Sequence, residues 1–239
     1  TDSTFETQFV GVAFFTPMLL LGLVSGLIAD TFQRKHVLIV VHLINIALAL
    51  TVASLLLTET IESWHMLSLT GAFGVGNALD MTARRAFVSD VIGRAELPFA
   101  LALETMSMTS SAMIGPWIGG ALVDYMPLGA MGAGAPYLFM AVAYMGGAIL
   151  LYKRVSPLAP QASGSFGLRA ALGDIIQGLR AVLANRPVVE TLGITVMWNL
   201  FFASYQPLLP VFAKEVLHVG PALLGLLAGA QGAGALAGS

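Results

Sequence analysis

The chain reads as an all-α integral membrane protein, a multi-spanning bundle of about seven transmembrane helices, and three observations lead there. Apolar residues make up 57 % of its 239 residues and charged residues only 10 %, with a mean hydropathy of +0.84. A soluble domain carries about 25 % charged residues. Two runs, Thr7–Ala29 and His36–Thr58, hold no Asp, Glu, Lys or Arg over 23 residues each. At about 1.5 Å per residue each run crosses a hydrocarbon core of about 30 Å. Finally, ten of the eleven Lys and Arg residues fall in alternate loops, the asymmetry that marks the cytoplasmic face.

Seven apolar segments follow in order, near 9–29, 36–58, 64–82, 98–123, 133–152, 188–212 and 221–239. The first two are joined by a compact charged knot, Gly26 to Lys35, in which Asp30, Arg34 and Lys35 sit between apolar runs. Arg84, Arg85 and Arg94 follow the third segment, and Lys153, Arg154, Arg169, Arg180 and Arg186 follow the fifth. The opposite side has only Lys214 among cations, with Asp2, Glu6, Glu59, Glu62, Asp124 and Glu215. This predicts residues 1–8 outside and the loop at 153–187 in the cytoplasm. Glu104 interrupts the fourth segment, Glu190 stands at the edge of the sixth, and the Gly- and Ala-rich seventh stops at Ser239 without a polar flank. The reading is the middle of a longer chain.

Three parts are expected: a transmembrane bundle over 1–152, a linker over 153–187, and the start of a second bundle over 188–239. Ser156 to Gly167 has two Pro, two Gly and three Ser, the composition of a flexible connector. Leu168, Leu172, Ile175, Ile176, Leu179 and Leu183 then recur at helical spacing. An amphipathic helix along the interface is predicted there, as a plain connector or as a regulatory latch.

Three motifs carry a family resemblance. Gly26, Asp30, Arg34 and Lys35 match the loop signature of the major facilitator superfamily, with departures at Thr31 and Gln33. Gly115, Pro116, Gly119 and Gly120 resemble the Gly-Pro-x-x-Gly-Gly signature of its exporters. Ala83 to Val91 is similar to the segment after the fourth helix in the branch that includes enterobactin exporters, the transmembrane secretion effectors. The resemblance implies an incomplete copy of the twelve-helix fold, from its second helix to its eighth. It also implies that Asp30 and Arg34 latch the cytoplasmic gate, and that the helix of Gly115 packs on the last segment to seal a cavity. Physics alone allows a plainer role for Gly115 and Gly119, close packing of two backbones.

Polar groups inside the spans are the candidate site. Glu104 lies about 9 Å into its helix at the standard rise, and an intramembrane carboxylate is costly unless it faces a cavity or a partner. It is a candidate for proton coupling; pairing with Arg84, Arg85 or Arg94, or a hydrogen bond to Ser107, is the plain alternative. Asp80 is a second candidate, although its spacing to Arg84 fits an ordinary i, i+4 ion pair. Asn77, Trp198, Asn199, Gln206 and Gln231 lie on helices that line the family's cavity, where they either contact a bulky amphipathic ligand or bond neighbouring helices. Asn45 and His42 read as packing.

Enzyme chemistry is not expected. The four His show no metal-ligand spacing, and Gly71 to Gly76 lies inside an apolar span without a preceding strand, unlike a nucleotide loop. No metal, cofactor, nucleic acid or obligatory protein partner is inferred. The function expected is secondary transport in a bacterial inner membrane, with the proton gradient as driving force. The partners are the lipid bilayer and a small-molecule substrate, drug-like or siderophore-like, exported by antiport. The alternative is a non-transporting membrane sensor or assembly partner on the same fold.

Overall fold

The computed structural model describes residues 4–92, 95–125, 130–154, 182–201 and 208–237, with positions 173, 177 and 180 between them. Among the described residues there are helices and turns but no strand. The helices are α1 (Thr4–Thr31), α2 (Arg34–Leu57), α3 (Ser63–Ile92), α4 (Leu97–Tyr125), α5 (Ala130–Arg154), α6 (Arg186–Phe201), α7 (Leu209–Glu215) and α8 (Pro221–Ala237). Their bounds agree with the apolar segments to within a few residues, with two differences.

The first difference is α3, which runs ten residues past the predicted end at 82. Charge ended the apolar run there, but the helix continues. Ala83 and Phe87 face α2 and pack on Val37, Leu38 and Val41, while Arg84 and Arg85 stay exposed. The second is the predicted span 188–212, which is represented by α6 and by the seven residues of α7. Pro210 opens α7 at its first turn, where a missing N–H costs nothing. Of the predicted linker helix, Gly173, Gln177 and Arg180 are helical and exposed; its apolar face lies outside the described residues except for Leu183, which is exposed. Among the described residues two helices, α2 and Gly132–Arg154 of α5, are long and apolar enough to cross a membrane.

The connection between α1 and α2 is as tight as the charged knot implied. Phe32 donates back to Ile28 O at 3.0 Å, and Gln33 O accepts from His36 and Val37 at 2.9 and 3.1 Å. At the other end of α2, Glu59 takes φ 55°, in the region that favours glycine. Its N–H reaches Leu56 O at 3.2 Å and that of Thr60 reaches Leu55 O at 3.1 Å, which closes the helix with the doubled bond of a Schellman end.

Packing joins α1 to α3, α2 to α3 and α5, and α4 to α5 and α8; α6 packs extensively on no other described helix. The α2 core has two layers. Val37, Leu38 and Val41 meet Ala83, and Ile46 and Ala49 meet Ala141 beneath Phe73 and Tyr144. Small residues set how closely the helices approach. A Cβ on Gly74 would collide with the Phe14 carbonyl of α1, so the two backbones touch there. Exposed hydroxyls bond to their own helix: Thr105 to Leu101 O, Thr109 to Thr105 O and Thr191 to Pro187 O, at 2.8–2.9 Å. Lipid offers no partner to such groups, and the bond one turn back supplies one.

Gly74→Ala is expected to destabilise the protein by about 1–3 kcal/mol, the usual cost of overpacking. Gly146→Ala, where a Cβ would meet nothing within 4 Å, is expected to be neutral. Thermal unfolding midpoints of the two variants in detergent check the contrast.

Candidate functional site

Three groups of polar and small residues meet across the bundle, and the sequence motifs contribute to two of them. At the charged end, Arg34 leaves the first turn of α2 and pairs with Asp90 of α3, Nη1 to Oδ1, at 2.5 Å. Both side chains are more than four-fifths buried, and Arg34 also donates to Ala86 O at 3.2 Å. Thus the first motif binds the third. Lys35, 8 % exposed, donates from Nζ to Tyr152 O at 3.2 Å and lies 5.8 Å from the centre of the Tyr152 ring. Tyr152 stands in the last turn of α5, whose carbonyls lack helical partners and carry the negative end of the helix dipole. Two successive cations therefore hold the C-terminal ends of α3 and α5 on one turn. The side chain of Asp30 lies outside the described residues, and a Cβ on Gly26 would meet nothing within 4 Å.

Between α1 and α3 lies a cleft of about 420 Å³ lined by Met18, Ser25, Ala78, Met81, Thr82 and residues of the next turn. Ser25, fully buried, shares a 3.0 Å hydrogen bond with Thr82, which also donates to Ala78 O. Asn77 donates to the sulfurs of Met18 and Met81, each at 3.8 Å. Of the other candidate cavity residues, Trp198 is exposed on α6, while Gln206 and the side chains of Asn199 and Gln231 lie outside the described residues. Asp80 is buried and ion-paired with Arg84, as its spacing implied. Glu104 is half-buried on α4. Ser107 does not serve it, since its hydroxyl donates to Leu103 O at 2.9 Å. Among the described residues no group of three or more His, Cys, Asp or Glu is placed to hold a metal ion.

The second motif meets the glycine-rich last segment. Cβ atoms built on Gly120, Gly225, Gly229 and Gly232 would collide with backbone of Pro221, Pro116, Met113 and again Met113. The close approach is thus made by Gly120 and by three glycines of α8; Gly115 and Gly119 have nothing within 4 Å of a built Cβ. Pro116 has no N–H, yet α4 stays a helix through it, as membrane helices allow. At the end of this seam Asp124 Oδ2 accepts from the N–H of Ala222 at 2.8 Å, across 98 residues of chain. Sequence reasoning noted Asp124 only as a charge of the outer side. A glycine at 220, just before Pro221, was the available signal, since that position opens a helix without a capping side chain.

An all-α bundle whose apolar helices meet at backbone-to-backbone glycine seams defines the fold class. A family model described as transmembrane secretion effector matches residues 2–239. The chain belongs to this family, a branch of the major facilitator superfamily. It is also similar to an uncharacterised MFS-type transporter of Bacillus subtilis (strain 168), YfiS, at 25 % identity over 237 residues. The match covers 98 % of this chain and 54 % of that relative, so the chain spans about half the relative's length. No solved structure matches the chain.

The Arg34–Asp90 pair lies between the exposed and fully buried cases, so Asp90→Asn is expected to cost about 2 kcal/mol. Arg34→Gln is expected to cost a similar amount and the double variant little more than either one. Equilibrium unfolding of the three variants in detergent measures the cycle; strict additivity shows that the pair does not couple.

Proposed function

We propose that this chain is part of a secondary active transporter that exports small molecules by alternating access, driven by proton antiport. The reading places it in a bacterial inner membrane, with residues 1–8 outside and the 153–187 linker in the cytoplasm. One observation carries it: α4 packs extensively on α8, two helices that the expected division assigns to the first bundle and to the start of the second. In alternating access two bundles rock about a site near the midplane, so contacts that cross between them open and close with the cycle. A seam of glycines against backbone suits such a contact, because two helices meet there without interlocked side chains to unpick.

Asp124 supports the same reading from the end opposite the charged knot. In the predicted topology it closes the outer side, and the structure then corresponds to the state with that side shut. A bulky amphipathic cargo, drug-like or siderophore-like, fits the mixture of Met18, Met81, Ser25 and Thr82 that lines the α1–α3 cleft. Apolar walls with a few polar groups are typical of small-molecule sites.

Gly225→Leu is expected to wedge the seam and lower proton-driven ethidium export at least tenfold, with the protein still inserted and folded. Gly234→Leu, where a Cβ meets open space, is expected to keep export within twofold. Everted vesicles with the full-length protein and an imposed pH gradient test the pair. Equal export by the two variants removes the α4–α8 seam from the cycle.

A further inference from the structure

Between α2 and α3 lies a polar set that the glycine seam does not use. Gly76, Asp80 and Arg84 stand at i, i+4 and i+8 on α3, one row on one face. Ala83 and Phe87, on the same side of α3, pack against α2. Asp80 is 4 % exposed, and Asn45 of α2 is 2 % exposed. Asp80 meets Arg84 through Oδ2. Its other oxygen, Oδ1, is buried without a hydrogen-bond partner, and so is Asn45 Oδ1. Asn45 Oδ1 lies 2.6 Å from the place of a Cβ on Gly76, one turn along the row from Asp80.

Two buried acceptors on one seam, each without a donor, are an unfavourable arrangement. A proton on Asp80 Oδ1 turns that acceptor into a donor and removes the buried charge. A metal cation fits less well: hard cations gather about six oxygens, and this seam offers two. Among the described residues Asp80 is ion-paired with Arg84, and the elements around it bring further titratable and polar groups near that pair. Arg84 stands beside it on α3. His42 comes from α2 with Nδ1 against Leu38 O at 2.8 Å, and Tyr144 from α5 lies edge-on to His42 at 5.3 Å. From α1 comes the neutral Ser25 hydroxyl, bonded to Thr82. Glu104 stands on α4, which meets α3 only slightly.

We propose that Asp80 is the proton-carrying carboxylate of the transport cycle, positioned by Asn45. This rests on the proton-coupled reading above. The proton bonds to Asp80 Oδ1 and cancels its charge, which frees Arg84 from the ion pair. Arg84 is 46 % exposed and lies two residues before Ala86, whose carbonyl Arg34 holds. Loading the proton thus alters the charge beside the turn that fastens α2 to α3, and releasing it restores the pair.

The test is pH-difference infrared spectroscopy on the full-length protein in lipid vesicles, following the carbonyl band of a protonated carboxyl group. The band is expected in the parent protein and in Glu104→Gln, and absent in Asp80→Asn. Asn45→Leu is expected to move its midpoint, a readout that a purely structural role of Asn45 leaves unchanged. Should Asp80→Asn fail to insert, Arg84→Gln answers the same question, because removing the counter-charge is expected to move the midpoint of the band. A band that survives in Asp80→Asn, an unmoved midpoint in Arg84→Gln, or a signal that follows sodium instead of pH overturns the proposal. Ethidium efflux under a pH gradient is measured separately. A parent protein that titrates at Asp80 but moves no ethidium retains the proton site and loses the export reading.

Discussion

Helices in a bilayer gain little by hiding apolar surface from one another, because lipid tails are as apolar as leucine. The bundle therefore depends on how closely backbones approach, and glycine sets that distance. Gly74 lies on the Phe14 carbonyl between α1 and α3; Gly225 and Gly229 lie on the carbonyls of Pro116 and Met113 between α4 and α8. Every such contact brings Cα–H groups toward a carbonyl oxygen, a weak bond of about 0.5–1 kcal/mol, and adds dispersion along the seam. The remaining interactions presuppose this proximity. Ser25 reaches Thr82 and Asn77 reaches Met18 because α1 and α3 already touch at Gly74.

Charge is handled at the helix ends. Lys35 satisfies a carbonyl in the last turn of α5, and Arg34 satisfies Ala86 O together with the carboxylate of Asp90. Each cation thus fastens a different helix to the first turn of α2. The resemblance implied a latch between the two halves of a transporter. The described contacts of Arg34 and Lys35 lie among α2, α3 and α5, where they hold one rim of the bundle together. A latch built from Asp30 needs such a rim to work against, so the two readings are compatible in physical terms.

Much of this was legible in the sequence, for reasons that can be named. Helix boundaries followed from apolar length, and the α1–α2 turn from charges crowded between two runs. The i, i+4 spacing of Asp80 and Arg84 announced their ion pair. Less legible was anything that depends on which helices are neighbours. Asn45 read as packing, because nothing local says that its oxygen lies buried against α3 without a donor. Lys35 and Tyr152 are 117 residues apart, and Asp124 and Ala222 are 98 apart. The length of α3 was hidden for a different reason: hydropathy reports where lipid ends, whereas Ala, Phe and Arg continue a helix beyond it. Of the glycines in the exporter motif, periodicity did not show that Gly120, and not Gly115 or Gly119, makes the close contact.

The α4–α8 seam has a further property, which follows from its register. Contacts step from Gly120 with Pro221, through Pro116 with Gly225, to Met113 with Gly229 and Gly232. Numbers fall on one helix as they rise on the other, so the helices are antiparallel and meet once per turn. Asp124 closes the end of this ladder by capping α8, whose own cap position, Gly220, has no side chain to do so. Side-chain contacts can follow a moving neighbour by changing rotamer; backbone contacts cannot. Dispersion falls steeply with separation, and a gap of about 0.5–1 Å already forfeits a quarter to a half of each contact. A small rotation therefore weakens all steps of the ladder together and frees the cap at its end. Such a seam is lost as a unit and not step by step, which is the behaviour a gate in the proposed cycle requires.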